Sequence, residues 1–122
     1  MTGPIGLHHV QLAMPLGSED AVRRFYVDAL GMTEVPKPPV LAARGGAWFR
    51  SGTLELHLGV EDEFRPARKA HPGIVVEDLD GVVRRLAEHG VEVDWDPNFP
   101  GFRRCYVADP HGNRIEMLEP EG

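Results

Sequence analysis

A single cysteine, Cys105, among 122 residues leaves no partner for an internal disulfide and no cysteine-based zinc site. Stability must therefore come from packing, and any metal ion must be held by histidines and carboxylates. Positive charge is also in short supply. Thirteen Lys and Arg face nineteen Asp and Glu, a formal net charge of −6, so no broad cationic surface exists to neutralise a nucleic-acid backbone or an anionic bilayer. Small molecules and proteins remain as partners. No run approaches the roughly 18 apolar residues needed to span a bilayer, and residues 1–9 lack a charged start followed by an apolar stretch. These absences, with the single cysteine, predict a cytoplasmic protein. No glycine-rich phosphate loop follows a strand, and no Ser-His-Asp signature stands out.

With 42% hydrophobic and 26% charged residues, the chain has the composition of one globular domain over residues 1–122. Its organisation is a repeat. His9-Val10-Gln11-Leu12 returns in outline at His71-Pro72-Gly73-Ile74, Val22-Arg23-Arg24-Phe25 at Val83-Arg84-Arg85-Leu86, and Leu54-Glu55-Leu56 at Ile115-Glu116-Met117, at a nearly constant spacing of about sixty residues. The order predicted for the first copy is β-α-β-β-β. A strand over 7–14 ends at Pro15. A helix capped by Ser18, with Glu19 and Asp20 in its first turn, runs to Gly31. Pro36, Pro38 and Pro39 make 35–40 a weak edge strand or extended loop, and strands over 47–50 and 53–60 flank a Ser51-Gly52 turn. The second copy repeats the plan, with a strand over 71–76, a helix capped by Asp78, and strands over 91–95, 102–108 and 113–118. Two βαβββ modules, about 5–60 and 70–119, are thus joined by a charged connection over 61–69.

Side chains alternate across a strand. Leu54, Leu56 and Leu58 take one face and Glu55 and His57 the other, while Ile115 and Met117 oppose Arg114 and Glu116. Each copy therefore places a histidine at the start of its first strand and a glutamate in the middle of its last: His9 and Glu55, then His71 and Glu116. If the copies pair about a pseudo-two-fold axis, all four can face one trough. Two imidazoles and two carboxylates suit one divalent ion per site, whether Zn, Ni, Co, Mn or Fe, with coordination positions left for substrate.

Three stretches carry a resemblance: His9-Val10-Gln11-Leu12-Ala13, then Phe25-Tyr26-Val27-Asp28-Ala29-Leu30-Gly31-Met32, then Asp109-Pro110-His111-Gly112-Asn113-Arg114-Ile115-Glu116. Together they resemble the vicinal oxygen chelate superfamily of glyoxalases, bleomycin resistance proteins and dioxygenases. The resemblance implies an α+β fold in which paired βαβββ modules form a curved mixed sheet. It also implies metal positions at His9, Glu55, His71 and Glu116. It further implies a glyoxalase-like enzyme of isomerase or lyase type acting on a small oxygen-chelating substrate. The expected assembly is a homodimer with its site at or near the interface. Two alternatives stay open: a non-catalytic, bleomycin-type drug-binding protein, and an Fe(II) extradiol-type dioxygenase.

Glu55 and Glu116 are the candidate proton-transferring carboxylates. His57, on the face of Glu55, is a third candidate catalytic group, which could replace Glu55 as ligand, shuttle a proton, or line the trough. Substrate contacts are expected from Gln11, Phe49, Phe99, Phe102, Arg103 and Arg114. Arg103 and Arg104 face opposite ways, so only one of them can point into the trough.

Overall fold

The computed structural model describes residues 2–122. Its elements are β1 (Val10–Met14), α1 (Glu19–Arg23) continued by a π-helical segment (Arg24–Ala29), β2 (Thr33–Val35), α2 (Pro39–Ala42), β3 (Ala47–Ser51) and β4 (Leu54–Val60). These are followed by β5 (Gly73–Val75), α3 (Leu79–Glu88), β6 (Asp94–Trp95), β7 (Phe102–Ala108) and β8 (Arg114–Pro120). The strands form two four-stranded sheets with the same order, β1-β4-β3-β2 and β5-β8-β7-β6. In each, the first strand runs parallel to the last and the remaining pairs are antiparallel. This is the paired βαβββ arrangement that the sequence predicts.

Each sheet turns one face to a shared core. Leu12, Met14, Ala47, Phe49, Leu56 and Leu58 from the first sheet meet Val22, Phe25, Leu79 and Leu86 from the helices and Cys105, Val107, Ile115 and Met117 from the second sheet. Residues of the opposite phase, among them Gln11, Trp48, Arg50, Glu55, Arg104, Tyr106 and Glu116, occupy the other faces. Burial of those apolar faces fixes the register, because a slip of one residue would put Glu55 and Glu116 into the core.

The structure corrects several local expectations. The first helix is α-helical only to Arg23 and then widens, so that Leu30 N–H donates to Phe25 O at 2.9 Å. The wider turn lets the adjacent Phe25 and Tyr26 both enter the core. Ser18 sits at the helix start without a side-chain cap bond; the Glu19 carboxylate accepts from Gly46 N–H at 2.8 Å instead. The proline-rich stretch is neither strand nor loop throughout. Pro39 opens the helical turn α2, where a missing N–H costs nothing. His9 and His71 each lie just before a strand rather than in one. Asp78 caps α3 as expected, accepting from Gly81 N–H at 3.0 Å.

A buried polar clasp joins the two halves. Tyr26 Oη donates to Asp109 Oδ2 at 2.9 Å, and the Asn113 amide donates to Asp109 Oδ2 at 3.0 Å and to the Ala13 carbonyl at 2.8 Å. Asn113 Oδ1 accepts from Ala67 N–H at 3.0 Å. Burial and the Asp109 carboxylate hold the Tyr26 hydroxyl well above its ordinary pKa, so it remains a donor.

Candidate functional site

The candidate residues gather in two groups, one on the exposed face of each sheet. In the first sheet, β4 presents Glu55 and His57 on one side, and its register with β3 sets Arg50 opposite Glu55 and Trp48 opposite His57. The His57 ring is the middle of a three-ring stack, 3.9 Å from Trp48 at 5° and 4.0 Å from His9 at 13°. Covered on both faces, it is only 3% exposed although it stands on the polar side of the sheet. That burial lowers its pKa below the ordinary 6.5, against the opposing pull of Glu55. His57 Nε2 lies 3.0 Å from Glu55 Oε1, and an ionised carboxylate only accepts, so Nε2 carries the proton and Nδ1 the lone pair. The His57 hydrogen bond, opposed by partial burial and aided by Arg50 at 3.2 Å, holds the Glu55 carboxyl below its usual range. His8 Nδ1 and His9 Nδ1 are 2.9 Å apart.

In the second sheet, His71 Nε2 lies 3.0 Å from Glu116 Oε1, and His71 Nδ1 lies 2.8 Å from the Lys69 carbonyl oxygen. A carbonyl can only accept, so Nδ1 is the protonated nitrogen. The neutral ring would then aim the Nε2 lone pair at a carboxylate oxygen. Such a pair is completed by a cation between its two acceptors or by a second proton on the ring, and a divalent ion therefore fits this donor set. The other Glu116 oxygen accepts from Arg104 Nη1 at 2.8 Å, while Arg104 also reaches Tyr106 Oη at 2.7 Å and Asp96 at 3.1 Å. Burial would raise the Glu116 carboxyl, but the Arg104 hydrogen bond, together with a His71 ring that carries its second proton, outweighs it and the pKa is lowered.

The pairs His71–Glu116 and His57–Glu55, with His9 stacked on the latter, stay on separate sheets. Among the described residues of one chain, no group of three or more His, Cys, Asp or Glu side chains is placed to hold a metal ion. Of the expected substrate contacts, Gln11 is exposed and packs its amide over Gly59. Arg114 lies 3.7 Å over the Tyr106 ring. Phe99 and Phe102 meet edge to face at 4.8 Å, with Arg104 at 5.3 Å from the Phe99 ring. Two expectations are corrected. Phe49 is fully buried and stacks on Tyr26, so it serves the core. Arg103 turns to α3 and bonds both Asp80 oxygens, at 3.1 and 3.2 Å, leaving Arg104 as the arginine that reaches Glu116. Sequence reasoning also missed Trp48 as the lid on His57, although it shares the phase of Arg50.

This geometry belongs to a known family. The profile of the Glyoxalase/Bleomycin resistance protein/Dioxygenase superfamily matches residues 6–117, and the chain is a member of it. A crystal structure of a glyoxalase family protein from Bacillus anthracis is 46% identical, with a TM-score of 0.95, and the match covers 99% of this chain and 100% of that one. TnmS3, an antibiotic binding protein from a Streptomyces species, is 25% identical at a TM-score of 0.72, covering 97% of this chain and all of TnmS3. The fosfomycin resistance protein FosX from Listeria monocytogenes shares the fold at 17% identity and a TM-score of 0.76, over 98% and 96% of the two chains. A variant of FosX has been crystallised with Mn(II) and 1S,2S-dihydroxypropylphosphonic acid. No curated protein sequence matches the chain.

Proposed function

We propose that the protein is a metal-dependent enzyme of glyoxalase type that acts as an isomerase or lyase on a small oxygen-chelating substrate in the cytoplasm. The observation that carries this reading is the His71–Glu116 pair, in which the Lys69 carbonyl fixes the imidazole so that Nε2 faces a carboxylate oxygen at 3.0 Å. His9, Glu55, His71 and Glu116 would hold one divalent ion, Zn, Ni, Co, Mn or Fe. That ion would supply Lewis acidity toward adjacent substrate oxygens. The chain's own groups would do the rest. Glu55 would take a proton from the substrate carbon and return it to the product, while the His57 Nε2–H that donates to Oε1 holds the carboxylate in position and steadies its charge. Arg104 keeps Glu116 ionised, and Arg114 and Tyr106 line the approach.

Because the two half-sites lie on separate sheets, we assign the complete site to a homodimer in which the first sheet of one chain faces the second sheet of another copy. Within each chain, 5–60 and 70–119 serve as the two modules of a single domain and 61–69 as their connection. Elemental analysis of purified protein and thermal shifts on adding Mn, Co, Ni or Zn test the reading. A metal-free sample with no shift from any of them overturns it. The likeness to TnmS3 supports a second reading, a protein that binds a drug in the same trough without catalysis. Under that reading, ligand affinity would be independent of metal.

A further inference from the structure

The first sheet carries a cavity of about 390 Å³ between its exposed face and the segment around α2, which is within the range of small-molecule sites. Its lining is chemically one-sided. His9, Trp48 and His57 form one wall, Leu41 adds an apolar edge, and Lys37 and Arg44 supply two cations; no carboxylate lines it. The corresponding face of the second sheet differs, because its cavity sets Arg68 and Arg114 against Glu92 and Asp94. In a chain of net charge −6, a pocket with two cations and no acid focuses positive potential on one small volume.

The cations are also free to act. The Arg44 guanidinium has no carboxylate or carbonyl partner among the described residues, so all five of its N–H donors are available. Lys37 Nζ donates to the Gly45 carbonyl and keeps two further N–H donors. The backbone that carries Arg44 is held in place. Gly46 has a φ of 86°, a Cβ there would lie 2.1 Å from the Leu58 carbonyl oxygen, and its N–H is tied to Glu19. Glu19, whose carboxylate accepts that N–H, is not among the residues that line the pocket.

We propose that the trough recognises an organic anion: a ligand whose flat apolar body lies against Trp48 and Leu41 and whose carboxylate or phosphonate is taken by Arg44 and Lys37. Its chelating oxygens would face His9. The proposal deepens the reading above and rests on it for the placement of the reactive end, but the anion subsite itself requires no metal.

The test uses the Trp95→Phe protein, in which Trp48 is the remaining tryptophan. Its fluorescence is followed on titration with phenylphosphonate, phenylacetate and the neutral phenylacetamide, in EDTA and separately with MnCl2. Both anions should quench saturably, with affinity weakened by added salt, and the amide should bind about tenfold or more weakly, a difference of about 1.4 kcal/mol. Arg44→Gln should remove the preference for the anions and leave the Mn thermal shift unchanged. Equal binding of acid and amide, or a preference that survives Arg44→Gln, overturns the proposal. A preference for anions in a protein that shows no Mn shift supports the subsite and overturns the metal reading. A Mn shift without the preference does the reverse.

Discussion

The two sheets have the same strand order and place a glutamate at the same register, with an arginine on one of its oxygens and a histidine on the other, yet those partners sit in different surroundings. In the first sheet Glu55 takes the half-exposed Arg50 on one oxygen and His57, stacked between Trp48 and His9, on the other. In the second sheet Glu116 meets charge, with Arg104 on one oxygen and a histidine of fixed orientation on the other. By register the position of Trp48 corresponds to Arg104, and that of His57 to Leu118. These two positions, and Arg50, which corresponds to Tyr106, set the two surroundings apart.

Metal binding is where that contrast should break most visibly. His71→Ala or Glu116→Gln should lower metal affinity by about a hundredfold or more, whereas His57→Gln should leave metal content intact and reduce turnover. Elemental analysis with steady-state assays checks this, and metal loss from His57→Gln equal to that from His71→Ala would erase the distinction. A smaller effect is expected on stability. Arg104 is 13% exposed and bridges Glu116, Asp96 and Tyr106, so Arg104→Ala should lower the denaturant midpoint clearly, by leaving the Glu116 carboxylate without its cation. Arg50 is 52% exposed, and Arg50→Ala should cost less than about 1 kcal/mol.

The aromatic cover can be tested through protons. Trp48→Ala should open one face of His57 to water and raise its pKa toward 6.5, as read by NMR titration of the ring. In the intact protein the folded form resists protonating His57, so the unfolded chain binds the extra proton first. The contribution of His57 to stability is therefore full above about 6.5 and declines as pH falls below it. The smallest effect falls in the core. Burial pushes the Cys105 thiol from 9.0 up to about 11, so it should react with thiol reagents at pH 8 only after unfolding. The stability tied to its neutral form should be lost as pH rises from 9 toward 11. Rapid labelling of the folded protein at pH 8 would contradict this.

Much of this was legible because strands expose a period of two. The phase that separates Leu54, Leu56 and Leu58 from Glu55 and His57, and Ile115 and Met117 from Glu116, reads directly from residue order. β7 falls on 102–108 as expected. What escaped depends on partners distant in sequence. Trp48 and Phe49 are adjacent aromatics, and nothing local says which faces the core until β3 is registered on β4. The same holds for Arg103 and Arg104, decided by Asp80 on α3 and by Asp96 and Glu116. The π-helical turn has no residue signature, because it follows from the need to bury Phe25 and Tyr26 together. Pro72 explains why β5 starts only at Gly73: it lacks the N–H that would have extended the ladder back to His71.

The clasp of Tyr26, Asp109 and Asn113 lies in two of the three stretches that carry the family resemblance, and none of it opens on either trough. It is the fastening of a hinge rather than the blade of a tool. A descendant could exchange every group around Glu55 and Glu116, trading catalysis for drug capture, and the halves would remain fastened at the same angle. The joint sets how the two faces are held, and the faces carry the chemistry.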